Sequence, residues 1–168
     1  GGSIMVKTRI AIADDNREFC QLVAQFISAQ EEFEVVGTAR DGIEALELIE
    51  REKPDVLVLD IIMPHLDGLG VLEKLHDSDD EYFPKIIILS AVGQDKITQR
   101  AIELGASYYV VKPFDFQVFI KRLKETADIV STYETSSYSQ VSSPSKKVNN
   151  NERDMESRIT KIIQEIGV

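Results

Sequence analysis

The fold is decided by the stretch Ile10-Ala11-Ile12-Ala13-Asp14-Asp15, a short apolar run that ends in two neighbouring aspartates. The arrangement recurs in Val56-Leu57-Val58-Leu59-Asp60, and a third run, Tyr108-Tyr109-Val110-Val111, is followed by Lys112. Brief runs rich in Val, Ile and Tyr are typical of strands buried in a parallel sheet. If these runs are neighbouring parallel strands, their terminal side chains meet at the carboxyl edge of one sheet, where open α/β folds bind their ligands.

The acidic residues at this edge predict a cation site. Asp14, Asp15 and Asp60 repel one another if they are crowded together without a partner. Carboxylate oxygens suit a hard divalent cation, so we expect Mg²⁺, with Mn²⁺ or Ca²⁺ as alternatives. The facing Lys112 indicates that an anion such as phosphate joins the cation.

Strand-like runs alternate with helical patterns along the chain. Strands are predicted at residues 9–13, 34–39, 56–59, 85–90 and 108–111. Apolar residues at helical spacing predict helices at about 19–27, 42–53, 69–77, 95–104 and 116–130. Asp41 and Glu44 have the spacing of a capping box, and Gly105 is expected just beyond a helix end. Five strand–helix units predict a doubly wound α/β domain with a parallel sheet.

The rest of the chain divides by composition. Residues 1–4, before Met5, resemble a cloning remnant, and residues 5–131 form the predicted domain. Residues 132–151 are rich in Ser, Thr and Asn and are interpreted as a flexible linker. Residues 152–168 again carry apolar residues at helical spacing, so we expect them to begin a second domain that has been truncated.

Charge and hydropathy exclude two classes of partner. The 168 residues carry a formal net charge of −10, which is the wrong sign for binding a phosphate backbone. No apolar stretch is long enough to cross a bilayer, and no signal peptide opens the chain. We therefore expect a cytoplasmic protein that binds neither membranes nor, through these residues, DNA.

Four motifs together resemble the receiver domain of two-component response regulators. In order they are Asp14-Asp15, Asp60-Ile61-Ile62-Met63-Pro64-His65-Leu66-Asp67-Gly68, Ser90-Ala91 and Lys112-Pro113-Phe114. The resemblance covers residues 9–131 and implies a flavodoxin-like sheet of five parallel strands in the order 2-1-3-4-5, with five helices.

Within that family, the chain is most similar to the sporulation-initiating response regulators of endospore-forming bacteria. The closer match lies in residues 13–18, 55–69, 105–108 and 162–168. In those regulators a DNA-binding effector domain follows, and the resemblance implies that it is missing here.

The resemblance implies a phosphoacceptor rather than an enzyme. Asp60 takes a phosphoryl group from a phosphohistidine and becomes an acyl phosphate. Mg²⁺ binds Asp15, Asp60 and the backbone carbonyl of Ile62 directly, and Asp14 largely through water. The domain assists its own phosphorylation and its slow dephosphorylation.

The remaining roles implied by the resemblance concern the bound phosphoryl group and the switch. Lys112, the Ser90 hydroxyl and the Ala91 backbone N–H bind the phosphoryl group. Tyr109 moves its ring inward as Ser90 shifts, which changes the face formed by the fourth helix, fifth strand and fifth helix. The Lys112–Pro113 peptide bond is a candidate for the cis form.

The expected partners follow from the same resemblance, and two alternatives stay open. A histidine-phosphotransfer protein or a sensor histidine kinase is the expected donor, and phosphorylation is expected to favour a homodimer. One alternative is a relay intermediate without DNA output, which the linker and terminal segment disfavour. The other is an aspartate-nucleophile phosphatase, but those enzymes place an Asp-x-Asp pattern after the first strand, where this chain has Asp-Asp.

Overall fold

The structure is a computed structural model that describes residues 6–79 and 82–135. The predicted cloning remnant, the terminal segment at 152–168 and the linker beyond Thr135 lie outside the described residues. Helical structure continues to Thr135, past residue 131 where the domain was predicted to end.

Five strands and five helices alternate in the described part of the chain, as the sequence predicted. The strands are β1 (Thr8–Ala13), β2 (Phe33–Ala39), β3 (Val56–Leu59), β4 (Lys85–Ser90) and β5 (Tyr108–Val111). The helices are α1 (Arg17–Ser28), α2 (Gly42–Glu52), α3 (Gly68–Asp77), α4 (Asp95–Glu103) and α5 (Phe116–Thr135).

All strand pairs are parallel, and the order β2-β1-β3-β4-β5 confirms the flavodoxin-like topology. The first and third strands are neighbours at the centre of the sheet, with Ala13 paired to Leu59. The residues that follow this pair, Asp14 and Asp60, therefore leave the sheet side by side. The Asp60 N–H donates to the Ala13 carbonyl at 2.9 Å, which fixes their relative position.

Two apolar layers cover the two faces of the sheet. Alternate strand residues point to opposite faces, so Ala11 belongs to the layer that includes residues of α2, α3 and α4, whereas Ile10 belongs to the layer that includes residues of α1 and α5. Burial of such side chains contributes about 1.5–3 kcal/mol each for the larger aliphatic residues. The helices thereby hold the sheet from both sides and leave its carboxyl edge open.

Helix ends are fixed by local hydrogen bonds. Asp41 caps α2 by accepting from the Glu44 N–H at 2.8 Å, as predicted. The Glu44 carboxylate pairs with the Arg40 guanidinium at 2.7 Å and accepts from the Arg40 backbone N–H at 3.5 Å. Gly105 has φ +110°, a left-handed conformation that glycine adopts without strain, and it follows α4 as expected.

The loop that follows β3 is packed closely against the start of α3. The Gly68 N–H donates to the Ile61 carbonyl at 2.8 Å. A Cβ atom at Gly68 would lie 2.3 Å from the Asp60 carbonyl oxygen, so only glycine fits this approach. The backbone that carries Asp60 is thus held on two sides, by β1 and by α3.

Candidate functional site

The predicted acidic residues come together at the carboxyl edge of the sheet. Asp14 and Asp15 follow β1, and Asp60 follows β3. Asp14 and Asp60 are buried, whereas Asp15 is exposed. One carboxylate oxygen from each residue lies within 4.8 Å of the other two.

This cluster has the right chemistry and size for a divalent cation. Mg²⁺ binds oxygen ligands at about 2.0–2.1 Å, so ligands on opposite sides of the ion are about 4 Å apart. The three oxygens lie within 4.8 Å of one another, so they could converge on one ion. Each of the three residues can offer one carboxylate oxygen to such an ion.

Lys112 brings a positive charge to the same carboxylates. It follows β5, and its Nζ atom lies 2.7 Å from Asp14 Oδ2 and 3.7 Å from Asp60 Oδ2. The side chain is 22% exposed, so this ion pair is shielded from solvent more than a surface pair is. One ammonium group therefore offsets part of the negative charge of two buried carboxylates.

Asn16 orders the loop between β1 and α1, a role that the sequence analysis did not assign. Its backbone N–H donates to Asp14 Oδ1 at 2.9 Å, and its side-chain oxygen accepts from the Phe19 N–H at 3.0 Å. Asn is a favoured N-cap residue, so its position just before a helical pattern was the available signal. Both oxygens of Asp14 are thus engaged, one with Asn16 and one with Lys112.

Burial raises the pKa of Asp60 above its usual value. Hydrogen bonding from the Ser90 hydroxyl and the positive charge of Lys112 oppose this rise, and the negative charge of Asp14 adds to it. Desolvation is the largest of these effects because it disfavours the charged carboxylate. Asp60 therefore holds a proton to a higher pH than an exposed aspartate does.

Ser90 and Tyr109 connect Asp60 with α4. Ser90 is fully buried at the end of β4, and its Oγ also accepts from the Val92 N–H at 3.4 Å. The Tyr109 hydroxyl donates to the Val92 carbonyl, and it lies near the side chains of Ser90 and Thr98. Burial raises the pKa of Tyr109 to about 12, so its hydroxyl stays protonated at neutral pH.

The Tyr109 ring already lies inward in this structure, with 1% of its surface exposed. The inward movement predicted for this ring needs an outward starting position, which this structure does not show. Thr98, on the buried face of α4, was missed because its spacing marks it only as part of an amphipathic helix.

The structure also describes three further features named in the sequence analysis: Ile62, Ala91 and the Lys112–Pro113 peptide bond. Ile62 donates its N–H to Asp60 Oδ1 at 3.3 Å and exposes its side chain, while Ala91 is exposed directly after Ser90. The metal-binding role of the Ile62 carbonyl and the phosphate-binding role of the Ala91 N–H stay predictions. The Lys112–Pro113 peptide bond is cis.

The family model of the response regulator receiver domain matches residues 10–124. This chain belongs to the response regulator receiver family. The chain is therefore a component of two-component signalling. Within the described residues, none of the receiver's helices is long and apolar enough to span a membrane.

Solved structures of other receivers have the same fold. The receiver domain of the putative response regulator NarL from Mycobacterium tuberculosis is 31% identical, with 73% of this chain and 98% of that chain covered and a TM-score of 0.68. The receiver domain of AraT from Geobacillus stearothermophilus is 29% identical over 75% and 97% of the two chains, with a TM-score of 0.66. A chain of the CheX–CheY complex with BeF₃ and Mg²⁺ from Borrelia burgdorferi is 27% identical over 71% and 89%, with a TM-score of 0.66.

The raised pKa of Asp60 predicts a pH-dependent cost to stability. Because the folded protein holds this proton more tightly than the unfolded chain does, stability falls as pH rises from the usual aspartate pKa through the folded pKa. Asp60→Asn removes the buried charge, so we expect a higher Tm than that of the wild type near pH 7 in EDTA. The difference should shrink towards pH ~4.

Asp67→Asn is the matched control for this experiment. Asp67 caps α3 by accepting from the Gly70 N–H at 2.8 Å, and Asn caps helices equally well. Its Tm should stay close to that of the wild type. An Asp60→Asn protein that melts below the wild type near pH 7 would contradict the stated effect of burial.

Proposed function

We propose that this receiver accepts a phosphoryl group on Asp60 and thereby switches the association of the chain. The observation that carries the proposal is the position of Asp60, which is buried directly after a central strand, belongs to the carboxylate cluster and lies 3.7 Å from Lys112. Lys112 Nζ lies 2.7 Å from Asp14 and 3.7 Å from Asp60. Asp60 is therefore near the lysine without being its closest partner.

Asp60 is the nucleophile of the proposed reaction. A carboxylate oxygen attacks the phosphorus of a phosphohistidine, the P–N bond breaks, and an acyl phosphate forms on Asp60. A Mg²⁺ ion held by the carboxylate cluster would supply positive charge to the phosphoryl oxygens. Since the chemistry of phosphoryl transfer depends mainly on positioning and charge neutralisation, few protein groups are needed.

Lys112 and Ser90 are the protein groups that meet the transferred phosphoryl group in this proposal. Lys112 Nζ is 3.7 Å from Asp60 Oδ2, close enough to pair with a group carried there. The Ser90 hydroxyl is already hydrogen-bonded to Asp60 and can donate to a phosphoryl oxygen instead. The Ala91 N–H is proposed to assist.

The order of the acidic residues supports this function over an aspartate-nucleophile phosphatase. The adjacent pair follows β1 and the isolated aspartate follows β3. The relay alternative differs only in output, and the composition of residues 132–151 favours a second domain over a stand-alone relay.

We infer that the donor is a histidine-phosphotransfer protein or a sensor histidine kinase and that the output is transcriptional control of sporulation. Support for the sporulation role is the resemblance carried by residues 13–18, 55–69, 105–108 and 162–168. The net charge of −10 opposes DNA binding by these residues, so we propose that DNA is bound through an effector domain C-terminal to the receiver. Paired receivers would raise the effective concentration of two such domains on DNA.

Phosphorylation of Asp60 is tested by intact-mass measurement after incubation with acetyl phosphate and Mg²⁺. The wild type should gain the mass of one phosphoryl group, and Asp60→Asn should gain none. Asp67→Asn, in the same loop, should be modified like the wild type because its side chain only caps α3. A gain that survives Asp60→Asn would refute the assignment.

Metal affinity is expected to depend more on Asp15 than on Asp14. Both oxygens of Asp14 are already engaged by Asn16 and Lys112, so Asp15→Asn should weaken Mg²⁺ binding by at least about tenfold, and Asp14→Asn by less. Affinity should also fall on acidification, because protons compete at the raised pKa of Asp60. Calorimetric titration measures both effects, and equal affinity in Asp15→Asn and wild type would rule out this site.

The association switch predicts that phosphorylation strengthens self-association, with a coupling of ~1–3 kcal/mol. The link from Asp60 through Ser90 and Tyr109 to Thr98 supports a route to α4. Tyr109→Phe keeps the ring but loses its hydroxyl bonds, so it should reduce the effect. Sedimentation velocity with and without acetyl phosphate measures it, and an unchanged association state of phosphorylated wild type would exclude the switch.

A further inference from the structure

We propose that Phe19 is a positioning residue for phosphoryl transfer, because its ring holds the Lys112 ammonium at the site. This inference rests on the proposed role of Asp60. Lys112 Nζ lies 4.0 Å from the centroid of the Phe19 ring. A cation within about 6 Å of a ring centroid is attracted by the negative face of the ring.

Phe19 and Lys112 are joined through a closed circuit of contacts. Lys112 Nζ binds Asp14 Oδ2 at 2.7 Å, and Asp14 Oδ1 accepts from the Asn16 N–H at 2.9 Å. Asn16 Oδ1 accepts from the Phe19 N–H at 3.0 Å, and the Phe19 ring returns to the ammonium. The first turn of α1 and the lysine are therefore positioned relative to the same carboxylate.

The Phe19 ring is itself held by the segment that carries Lys112. Phe114 packs edge-on against Phe19, with centroids 6.1 Å apart and an interplanar angle of 86°. Phe114 in turn contacts Phe116 at 5.0 Å and Phe119 at 5.5 Å at the start of α5. Such edge-to-face pairs have a preferred geometry, so the orientation of the Phe19 ring is constrained.

The uncharged Phe19 ring can hold the Lys112 ammonium without adding charge to the site. Asp14 and Asp60 are partners of Lys112 and also members of the proposed cation site. The attraction between Lys112 and these carboxylates therefore changes when a cation or a phosphoryl group binds. The aromatic ring attracts the ammonium throughout and does not compete for the phosphoryl group. It limits the freedom of the flexible lysine stem, which is an entropic contribution to positioning.

A packing role alone is the competing explanation. Phe19 is half-buried and packs against the apolar layer formed by α1 and α5. A leucine can fill that space, but it offers no negative ring face. The two explanations therefore differ in whether an aromatic side chain is needed.

The experiment compares rates of Asp60 phosphorylation by acetyl phosphate at saturating Mg²⁺ in the intact chain. Asp60 attacks phosphorus, the bond from phosphorus to the acyl oxygen breaks, and acetate leaves. Phe19→Leu should slow this step by about three- to tenfold, whereas Phe19→Tyr should restore a rate close to that of the wild type. If Phe19→Leu does not fold, Phe19→Met takes its place.

Phe26→Leu is the matched control. Phe26 lies on the same helix, is also half-buried and packs against Phe116 at 4.5 Å, yet the described cation contact of Lys112 is with Phe19. Its phosphorylation rate should match that of the wild type. In NMR spectra, the Lys112 side-chain protons should lose their ring-current shift in Phe19→Leu and keep it in Phe26→Leu.

A double-mutant cycle separates action through Lys112 from a general defect. In a Lys112→Met background, Phe19→Leu should cause no further slowing. Equal slowing in both backgrounds, or a wild-type rate for Phe19→Leu, would overturn the inference while leaving the phosphoacceptor role of Asp60 in place. A wild-type protein that gains no phosphoryl group on Asp60 would overturn both.

Discussion

The repulsion among three carboxylates at one edge of the sheet is the constraint on which the rest of the site depends. Asp14, Asp15 and Asp60 present oxygens within 4.8 Å of one another, an arrangement that costs free energy unless positive charge accompanies it. Lys112 supplies part of that charge from the end of β5. The unbalanced negative charge that remains is what makes the cluster suited to a divalent cation.

The strand order produces this crowding. Since β1 and β3 are neighbours, the residues that end them leave the sheet together, and β4 and β5 place Ser90 and Lys112 on the other side of Asp60. The two apolar layers hold the strands in this order but contribute little chemistry. Function is therefore concentrated at strand ends, as in other open α/β sheets.

Neutral contacts determine how the charged groups are held. Asn16 fixes Asp14 through a backbone hydrogen bond, and Phe19 supports the Lys112 ammonium. On the opposite side, Ser90 connects Asp60 to Tyr109 and Thr98. Two of these contacts join the charged groups to α1, and the third connects Asp60 with α4.

The sequence by itself determined the five strand–helix units and the positions of Asp14, Asp15, Asp60 and Lys112 at strand ends. These depend on hydrophobic periodicity and on the residues that interrupt it, which act over short stretches of chain. Only the tertiary structure decided that Lys112 pairs most closely with Asp14, a residue 98 positions away, and that it lies over the Phe19 ring. The inward position of Tyr109 and its proximity to Thr98 also required the structure. Distances between side chains on separate elements are set by packing, and no local pattern in the sequence records them.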